Sequence, residues 1–331
     1  MRPRVLITDP IDPSGTALLS AQAELITAPD AAPDTMRRLA RDADAIIIRS
    51  KLPDDIFDAA PRVRAVTVHG TGTDLVPIES ATAHGVLVAN LPGGNAQSVA
   101  EYCVMAMLLL ARNQPAIING MRTDTWDDAR ALGAHAHEIA EMTLGLVGVG
   151  EIGKRVAKAC RQGFGMRVLG NQRRLDRLPP DAAPATLDAL LAESNFVVVT
   201  CPLTPETKHL FNRHRFAQMK RTAWLINVGR GPVVEEGALT DALREKRIAG
   251  AMLDVYEYYR IEPGHPLFGL QNVILTPHNA GMTRESRGRM GVLAAQETLR
   301  MLAGERPKSF VNPEAWDAAQ ARRTKSSGAL M

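Results

Sequence analysis

Cysteine, aromatic side chains, net charge and long apolar runs are all in short supply in this chain, and most of these shortages exclude something. Only Cys103, Cys160 and Cys201 occur in 331 residues. Their odd number argues against a disulfide framework, and their spacing is unlike a metal-binding pattern, so no metal is expected. Cys103 falls in an apolar helical run and Cys160 near a helix end, which suits small buried side chains. Aromatics are 4% of the residues and the formal charge is +3. That balance gives no ground for a nucleic-acid partner. The apolar run around Val104 to Ala111 is far below the ~20 residues needed to cross a bilayer. Met-Arg-Pro-Arg is followed directly by what reads as a strand, not by a signal sequence. A cytoplasmic location away from membranes is the resulting expectation.

What is present is apolar and patterned. Hydrophobic residues make up 45% of the chain, enough at this length for two domains. Short runs at Val5 to Thr8, Ala45 to Arg49, Ala65 to His69 and Val86 to Ala89 read as strands. They lack polar alternation, as expected of parallel strands covered on both faces. Ser14 to Gln22 reads as a helix capped by Ser14, and Asn95 to Arg112 as a long helix entered through Asn90-Leu-Pro-Gly-Gly94. After a polar stretch containing Trp126, six more strands are expected. They lie near Leu144 to Val149, Arg167 to Gly170, Phe196 to Thr200, Thr222 to Asn227, Ala251 to Asp254 and Val273 to Thr276. Helices fall between them, including Glu151 to Arg161 and Glu235 to Glu245. The helix Gly291 to Leu302 is expected to return the chain to the first unit. The polar tail from about Arg322 to Met331 reads as disordered or loosely attached. The architecture expected is α/β, with two Rossmann-like doubly wound domains. A discontinuous, flavodoxin-like substrate domain takes residues 1–98 and 288–331. An inserted nucleotide-binding domain takes residues 99–287. A small substrate is expected to meet a cofactor in the cleft between them.

The sharpest local signal is the apolar run Leu144 to Val149 flowing into Gly148-Val-Gly-Glu-Ile-Gly153. A strand, a tight glycine turn and a helix start together present backbone N–H groups to a pyrophosphate. Gly148 permits the turn, Gly150 has no Cβ to block the phosphates, and Gly153 lets helix pack on strand. The next strand ends in Asn171-Gln172-Arg173-Arg174, and no carboxylate follows until Asp176. An acidic residue at that place selects NAD through the ribose hydroxyls. Two guanidiniums there suit a 2′-phosphate instead, which predicts NADP over NAD. The competing reading makes Arg173 and Arg174 a solvated surface pair, with Gln172 contacting ribose and both cofactors accepted.

The chain resembles the D-isomer-specific 2-hydroxyacid dehydrogenases, a family that includes glyoxylate/hydroxypyruvate reductases, phosphoglycerate dehydrogenase and formate dehydrogenase. The resemblance runs from about Val5 to Asn312. It rests on His69-Gly-Thr-Gly-Thr-Asp74, Asn95-Ala-Gln-Ser-Val-Ala-Glu101, Gly148 to Gly153, Cys201-Pro-Leu-Thr204, Asn227-Val-Gly-Arg-Gly231, Asp254-Val-Tyr256 and Thr276-Pro-His-Asn-Ala-Gly281. It implies hydride exchange between NAD(P)H and the C2 carbonyl of a small 2-keto acid, a D-2-hydroxy acid product and a homodimer. Arg230 corresponds to the family arginine, suited to fix the carboxylate and polarise the keto oxygen. His278 corresponds to the acid–base histidine. His69, His84 and His137 are weaker alternatives. Gly70, Thr71 and Gly72 match the loop that meets the substrate carboxylate, and Ser50 lies in another pocket loop. The cofactor site would comprise Gly148, Gly150, Glu151, Ile152, Gly153, Asn171, Gln172, Arg173, Arg174, Cys201, Pro202, Thr207, Val228, Gly229, Arg230, Asp254, His278, Ala280 and Gly281.

One position departs from the family. A Glu is usual five residues after the Asp of Asp254-Val-Tyr256, and this chain has Tyr259. A carboxylate beside a histidine stabilises its imidazolium; a neutral hydroxyl orients the ring without supplying that charge. Three arrangements remain open. Tyr259 orients His278, or Glu257 or Glu262 replaces the carboxylate, or the pair is degraded and turnover is slow. The leading expectation is a glyoxylate- or hydroxypyruvate-like reductase using NADPH. The alternatives are an NAD-dependent phosphoglycerate-type dehydrogenase and a non-enzymatic, NAD(P)-sensing corepressor-like protein.

Overall fold

The computed structural model describes residues 2–328, and the last residues of the polar tail lie outside them. The chain divides into two compact units, residues 1–95 with 282–331, and residues 96–281. Both are built on wholly parallel sheets.

The first unit carries β1 (Arg4–Ile7), β2 (Glu24–Thr27), β3 (Ala45–Ile48), β4 (Ala65–Val68) and β5 (Leu87–Ala89), in the order β2-β1-β3-β4-β5. That is the flavodoxin-like order, with its switch point between β1 and β3. Successive residues feed opposite faces. Leu6, Ile46 and Ile48 enter one core, and Val5, Ile7, Ala45 and Ile47 enter the other. Two covered faces explain why these strands read as continuous apolar runs.

Sequence reasoning found four of these strands and missed β2, whose burial is only partial. The first helix spans Pro13–Ser20, and its cap is Asp12, not Ser14. The Ser14 amide and hydroxyl both donate to Asp12 Oδ1, at 3.0 and 2.7 Å. Asp12 precedes a proline, and proline suits the first helical position because it has no N–H to satisfy.

The second unit carries β6 (Thr143–Val147), β7 (Arg167–Asn171), β8 (Ala183–Pro184), β9 (Phe196–Val199), β10 (Trp224–Asn227), β11 (Gly250–Leu253) and β12 (Val273–Leu275). Their order is β12-β11-β10-β9-β6-β7-β8, a doubly wound sheet with one short strand beyond the six expected. Leu144, Leu146, Phe196, Val198, Ile226 and Met252 pack on one face, and Val147, Val197, Val199, Leu225 and Leu253 on the other.

Two further expectations change, and one stretch for which no element was expected is helical. The polar stretch containing Trp126 is helical, with helices at Gln114–Thr123 and Trp126–Ala131. The returning helix is longer than its apolar core suggested, spanning Arg284–Ala303 with Thr283 as its cap. The tail is ordered where the structure describes it, as a helix over Trp316–Gly328. The Arg322 guanidinium donates to the carbonyls of His84 and Pro61, and Arg323 to those of Leu302 and Ala303. Charged tips thus fasten a segment whose polarity alone suggested disorder. Among the described residues no helix is long and apolar enough to cross a membrane.

Candidate active site

Parallel strands all end on one edge, and in doubly wound sheets ligands bind at the carboxyl ends of the strands. In the second unit that edge gathers the chemistry. Gly148 follows β6, Gln172 follows β7, Cys201 follows β9, Arg230 follows β10, Asp254 follows β11 and His278 follows β12. The strands β10, β11 and β12 are neighbours, so Arg230, Asp254 and His278 leave three adjacent strand ends.

The glycine turn has the shape its sequence suggests. Gly148 has φ +91°, a left-handed conformation, and a Cβ there would strike the Cys201 backbone at 2.6 Å. A Cβ on Gly153 would meet the Gly148 carbonyl at 2.6 Å, so helix and turn are in close contact. Gly150 differs, because its Cβ would meet nothing within 4 Å. Space is left open where the helix Glu151–Lys158 begins with unpaired N–H groups, and that cradle fits a dinucleotide pyrophosphate. Ile152 packs against the core, while Glu151 pairs with Arg155 at 2.9 Å, which holds its carboxyl below the usual range.

Around this turn the other positions expected to meet a cofactor are fixed by hydrogen bonds to backbone groups. The Gly148 amide donates to the Asn171 carbonyl at 2.8 Å, and the Asn171 side chain to the Ala185 carbonyl at 2.9 Å. The Thr207 hydroxyl donates to the Pro202 carbonyl at 2.7 Å and accepts from the Thr204 amide at 2.8 Å, closing the Cys201-Pro-Leu-Thr204 turn. The Gly229 amide donates to Asn227 Oδ1 at 3.1 Å, and the Asn227 side chain donates to the Arg230 carbonyl at 3.1 Å. Beyond β7, Gln172 donates to the Arg174 carbonyl at 2.7 Å. Both arginines there are exposed. They are not equivalent, since Arg174 pairs with Asp176 at 3.2 Å.

The turn carrying His278 is held from three sides. The buried Asp254 carboxylate accepts from the Asn279 amide at 2.8 Å, the Ala280 amide at 2.9 Å and the Thr276 hydroxyl at 2.7 Å. The Thr276 hydroxyl has one proton, and Asp254 takes it. Tyr102 therefore donates to Thr276, at 2.5 Å. Burial pushes the Tyr102 hydroxyl's pKa far up, so it stays a donor. Tyr256 donates to the Thr276 carbonyl at 2.9 Å. Inside these anchors His278 adopts φ +53°, a conformation that costs a non-glycine residue roughly 1–3 kcal/mol and needs such fixing. Sequence reasoning passed over Tyr102. Its signal was a polar-tipped residue in an otherwise apolar helix.

Tyr259, where the family has Glu, also has positive φ, +55°, and its ring meets that of His278 edge-on, 5.8 Å between centroids and 68° between planes. Of the two substitute carboxylates, Glu257 bonds elsewhere. Its Oε1 lies 3.0 Å from His209 Nε2 and its Oε2 accepts from the Glu236 amide at 3.4 Å. To replace the missing partner, Glu257 would have to leave His209. Glu262 is exposed. Arg230 is half-buried, with Nη1 donating to the Gly229 carbonyl at 3.0 Å. Its turn presses on the Tyr259 loop, since a Cβ on Gly231 would overlap the Tyr256 carbonyl.

In the first unit the positions expected to meet the substrate follow β3 and β4. Ser50 donates to Asp9 at 2.6 Å, and Thr8, just past β1, ties the ends of β1 and β3 together by accepting from the Arg49 amide at 2.9 Å. The Gly70 carbonyl accepts from Leu91, and the Thr71 carbonyl from the Asn90 side chain; Gly72 follows, partly exposed. His69 is mostly buried, and burial first, then nearby Arg49 and Arg287, lowers its pKa to about 4. It is neutral at working pH and a poor proton donor. His84 bonds the Ser80 carbonyl and Asp58, and His137 packs edge-on to Trp224, so both have structural partners. Among the described residues, no group of three or more His, Cys, Asp or Glu is placed to hold a metal ion.

Residues 104–280 match the family described as D-isomer specific 2-hydroxyacid dehydrogenase, NAD binding domain. The chain is 37% identical over 325 residues to a glyoxylate reductase of Thermofilum pendens, covering 95% of each. It is 32% identical to a D-3-phosphoglycerate dehydrogenase of Methanocaldococcus jannaschii, covering 93% of this chain but 59% of that protein. Among solved structures it is similar to an NADPH-dependent glyoxylate/hydroxypyruvate reductase from Sinorhizobium meliloti in complex with NADP and malonate. That match has a TM-score of 0.84 at 28% identity and covers 95% of this chain and 98% of the other.

Proposed function

Because the chain belongs to the D-isomer-specific 2-hydroxyacid dehydrogenase family and is an NAD(P)-dependent dehydrogenase, we propose that it reduces a small 2-keto acid, glyoxylate or hydroxypyruvate, to the 2-hydroxy acid, the D isomer wherever C2 becomes chiral, with NADPH preferred. The observation that carries this reading is the placement of Arg230, Asp254 and His278 on three adjacent strand ends, with Tyr259 edge-on to His278. The bound nicotinamide supplies the hydride. Arg230 takes the substrate carboxylate and polarises the keto oxygen, and Ser50, Gly70, Thr71 and Gly72 of the first unit are proposed as substrate-binding positions. His278 gives its proton to the oxygen as the alkoxide forms, and takes it back in the reverse direction. Tyr259 orients the imidazole in place of a carboxylate. Without that negative neighbour the imidazolium is less stabilised, so the pH optimum for reduction lies lower than with Glu at this position.

Arg173 is the primary ligand for a 2′-phosphate, with Arg174 shared with Asp176. The Sinorhizobium relative, described as NADPH-dependent, supports that preference. The phosphoglycerate-type alternative is weaker, because the arginines stand where NAD selection calls for a carboxylate. A homodimer is the proposed assembly, and the first unit's domain role is substrate binding.

The test is turnover of glyoxylate, hydroxypyruvate, pyruvate and phenylpyruvate with NADPH and NADH in parallel. Fast NADPH-linked reduction of glyoxylate and hydroxypyruvate is expected. A clear NADH preference would overturn the assignment of Arg173. NADPH binding with no turnover on any of the four would favour a sensing role. Tyr259→Phe should change the pH–rate profile, and an unchanged profile would remove Tyr259 from the mechanism.

A further inference from the structure

Tyr259 sits in a loop, residues 257–265, that little holds from within. Tyr258 is 81% and Tyr259 57% exposed. Tyr259 nevertheless keeps a left-handed backbone, φ +55°, which a tyrosine adopts only where its surroundings impose it. Its own amide reaches the Tyr256 carbonyl at a long 3.4 Å. The loop's ends are held more firmly than its middle.

Both ends converge on one side chain. Glu236 is the first residue of the helix Glu236–Arg244. Its Oε2 accepts from the Glu257 amide at 3.3 Å, where the loop begins, and its Oε1 lies 2.8 Å from His265 Nε2, where the loop ends. His265 Nδ1 accepts from the Leu267 amide at 3.3 Å. That acceptor role places the neutral ring's proton on Nε2, so His265 donates to Glu236 without needing a second proton. Glu257 returns the contact. Its Oε2 accepts from the Glu236 amide at 3.4 Å, and His209 holds its other oxygen at 3.0 Å. The two carboxylates thus accept each other's backbone N–H at a helix N-terminus, where negative charge is favoured. Each also has a histidine. Charge-assisted bonds of this kind are about twice as strong as neutral ones.

We propose that Glu236 is a positioning residue that staples both ends of loop 257–265 and thereby keeps Tyr259 edge-on to His278. It acts on proton transfer through Tyr259, not on the reacting atoms. The inference rests on the assignment of Tyr259 as the orienter of His278. In the staple Glu257 forms half of the clamp, which would keep it from serving as the missing carboxylate.

Hydrogen exchange across the loop and steady-state kinetics of the full chain test this together, with E236A, E236D, H265Q, Y259A and E236A/Y259A. E236A and H265Q should both speed exchange of the amides between Glu257 and His265. They should lower kcat roughly tenfold, as a small misplacement of an orienting group does, with KM for the keto acid and NADPH binding unchanged. E236D should restore part of kcat. In the Y259A background, E236A should cost nothing further. Unchanged exchange in both E236A and H265Q would overturn the staple, as would faster exchange at wild-type kcat. Additive losses in the double variant would overturn its action through Tyr259. H265Q leaves the helix start intact and decides the matter if E236A does not fold. Wild-type kcat and pH profile in Y259A alone would refute the Tyr259 assignment, while exchange still reports on the staple.

Discussion

Gly150 and Gly231 stand in the same unit and answer a methyl group in opposite ways. The Cβ of Gly150→Ala enters open space, so the fold should tolerate it within about 0.5 kcal/mol. The same methyl stands where a pyrophosphate would approach, so NADPH affinity should drop at least about tenfold, or ~1.4 kcal/mol. Gly231→Ala drives its methyl into the Tyr256 carbonyl, and overpacking of this kind costs roughly 1–3 kcal/mol. Thermal melts beside NADPH titration of both variants check the contrast, and equal loss of stability in the two would contradict it. His69 makes a second prediction at this scale. Burial lowers its pKa from 6.5 to about 4 in the folded protein. Above pH 6.5 it is neutral in both states and contributes no pH dependence. As pH falls from 6.5 towards 4 the unfolded chain takes up a proton that the folded one does not, and roughly 3 kcal/mol of stability is lost. His69→Gln should flatten the urea midpoint across that window; an unchanged slope would mean that His69 is not the titrating group.

The turn Thr276 to Ala280 carries the proposed acid–base residue His278, and Asp254 is its fastener. Asp254→Asn puts an amide where two backbone N–H groups and a hydroxyl donate. At least one donor then faces another. Leaving a buried donor unpaired costs about 1–3 kcal/mol, and kcat should fall because His278 loses its fixed φ. A variant with wild-type stability and kcat would show that the turn holds itself. The sequence announced this turn only in part. Its strands were legible because both faces of each sheet are buried, giving unbroken apolar runs such as Ala45 to Ile48. The glycine turn was legible because each glycine answers a distinct steric demand. By contrast, β2 is only half covered, and the helices around Trp126 present polar and apolar residues together, so no periodicity marked them. Tyr102, Glu236 and His265 were missed for a different reason. Their partners lie 20 to 180 residues away or across a loop, and no local spacing encodes such pairings. The Arg322 and Arg323 anchors belong to the same class, since polarity suggested a loose tail and only the carbonyls they reach reveal otherwise.

Across the whole molecule, the exposed apolar side chains of the second unit are concentrated on consecutive helices. Met105, Leu108, Ile118, Met121, Trp126 and Leu132 are all exposed between residues 105 and 132. Apolar groupings of this kind mark association surfaces. With the proposed homodimer, wild-type protein should sediment as a dimer, and Ile118→Asp with Met121→Asp should yield a folded monomer. A wild-type monomer over the accessible concentration range would dispose of that assembly. The thiols have a different distribution. Cys103, Cys160 and Cys201 are all buried in the 96–281 unit. Burial pushes Cys160 up to about 12 and Cys201 to about 11, and Cys103 higher still. The other unit has none, so a thiol reagent is a stopwatch for one half of the protein. Labelling at neutral pH waits for the nucleotide-binding half to open, and it is silent about its neighbour. Because the Cys201 backbone lies against Gly148, bound dinucleotide should slow the labelling of Cys201 by holding that half closed.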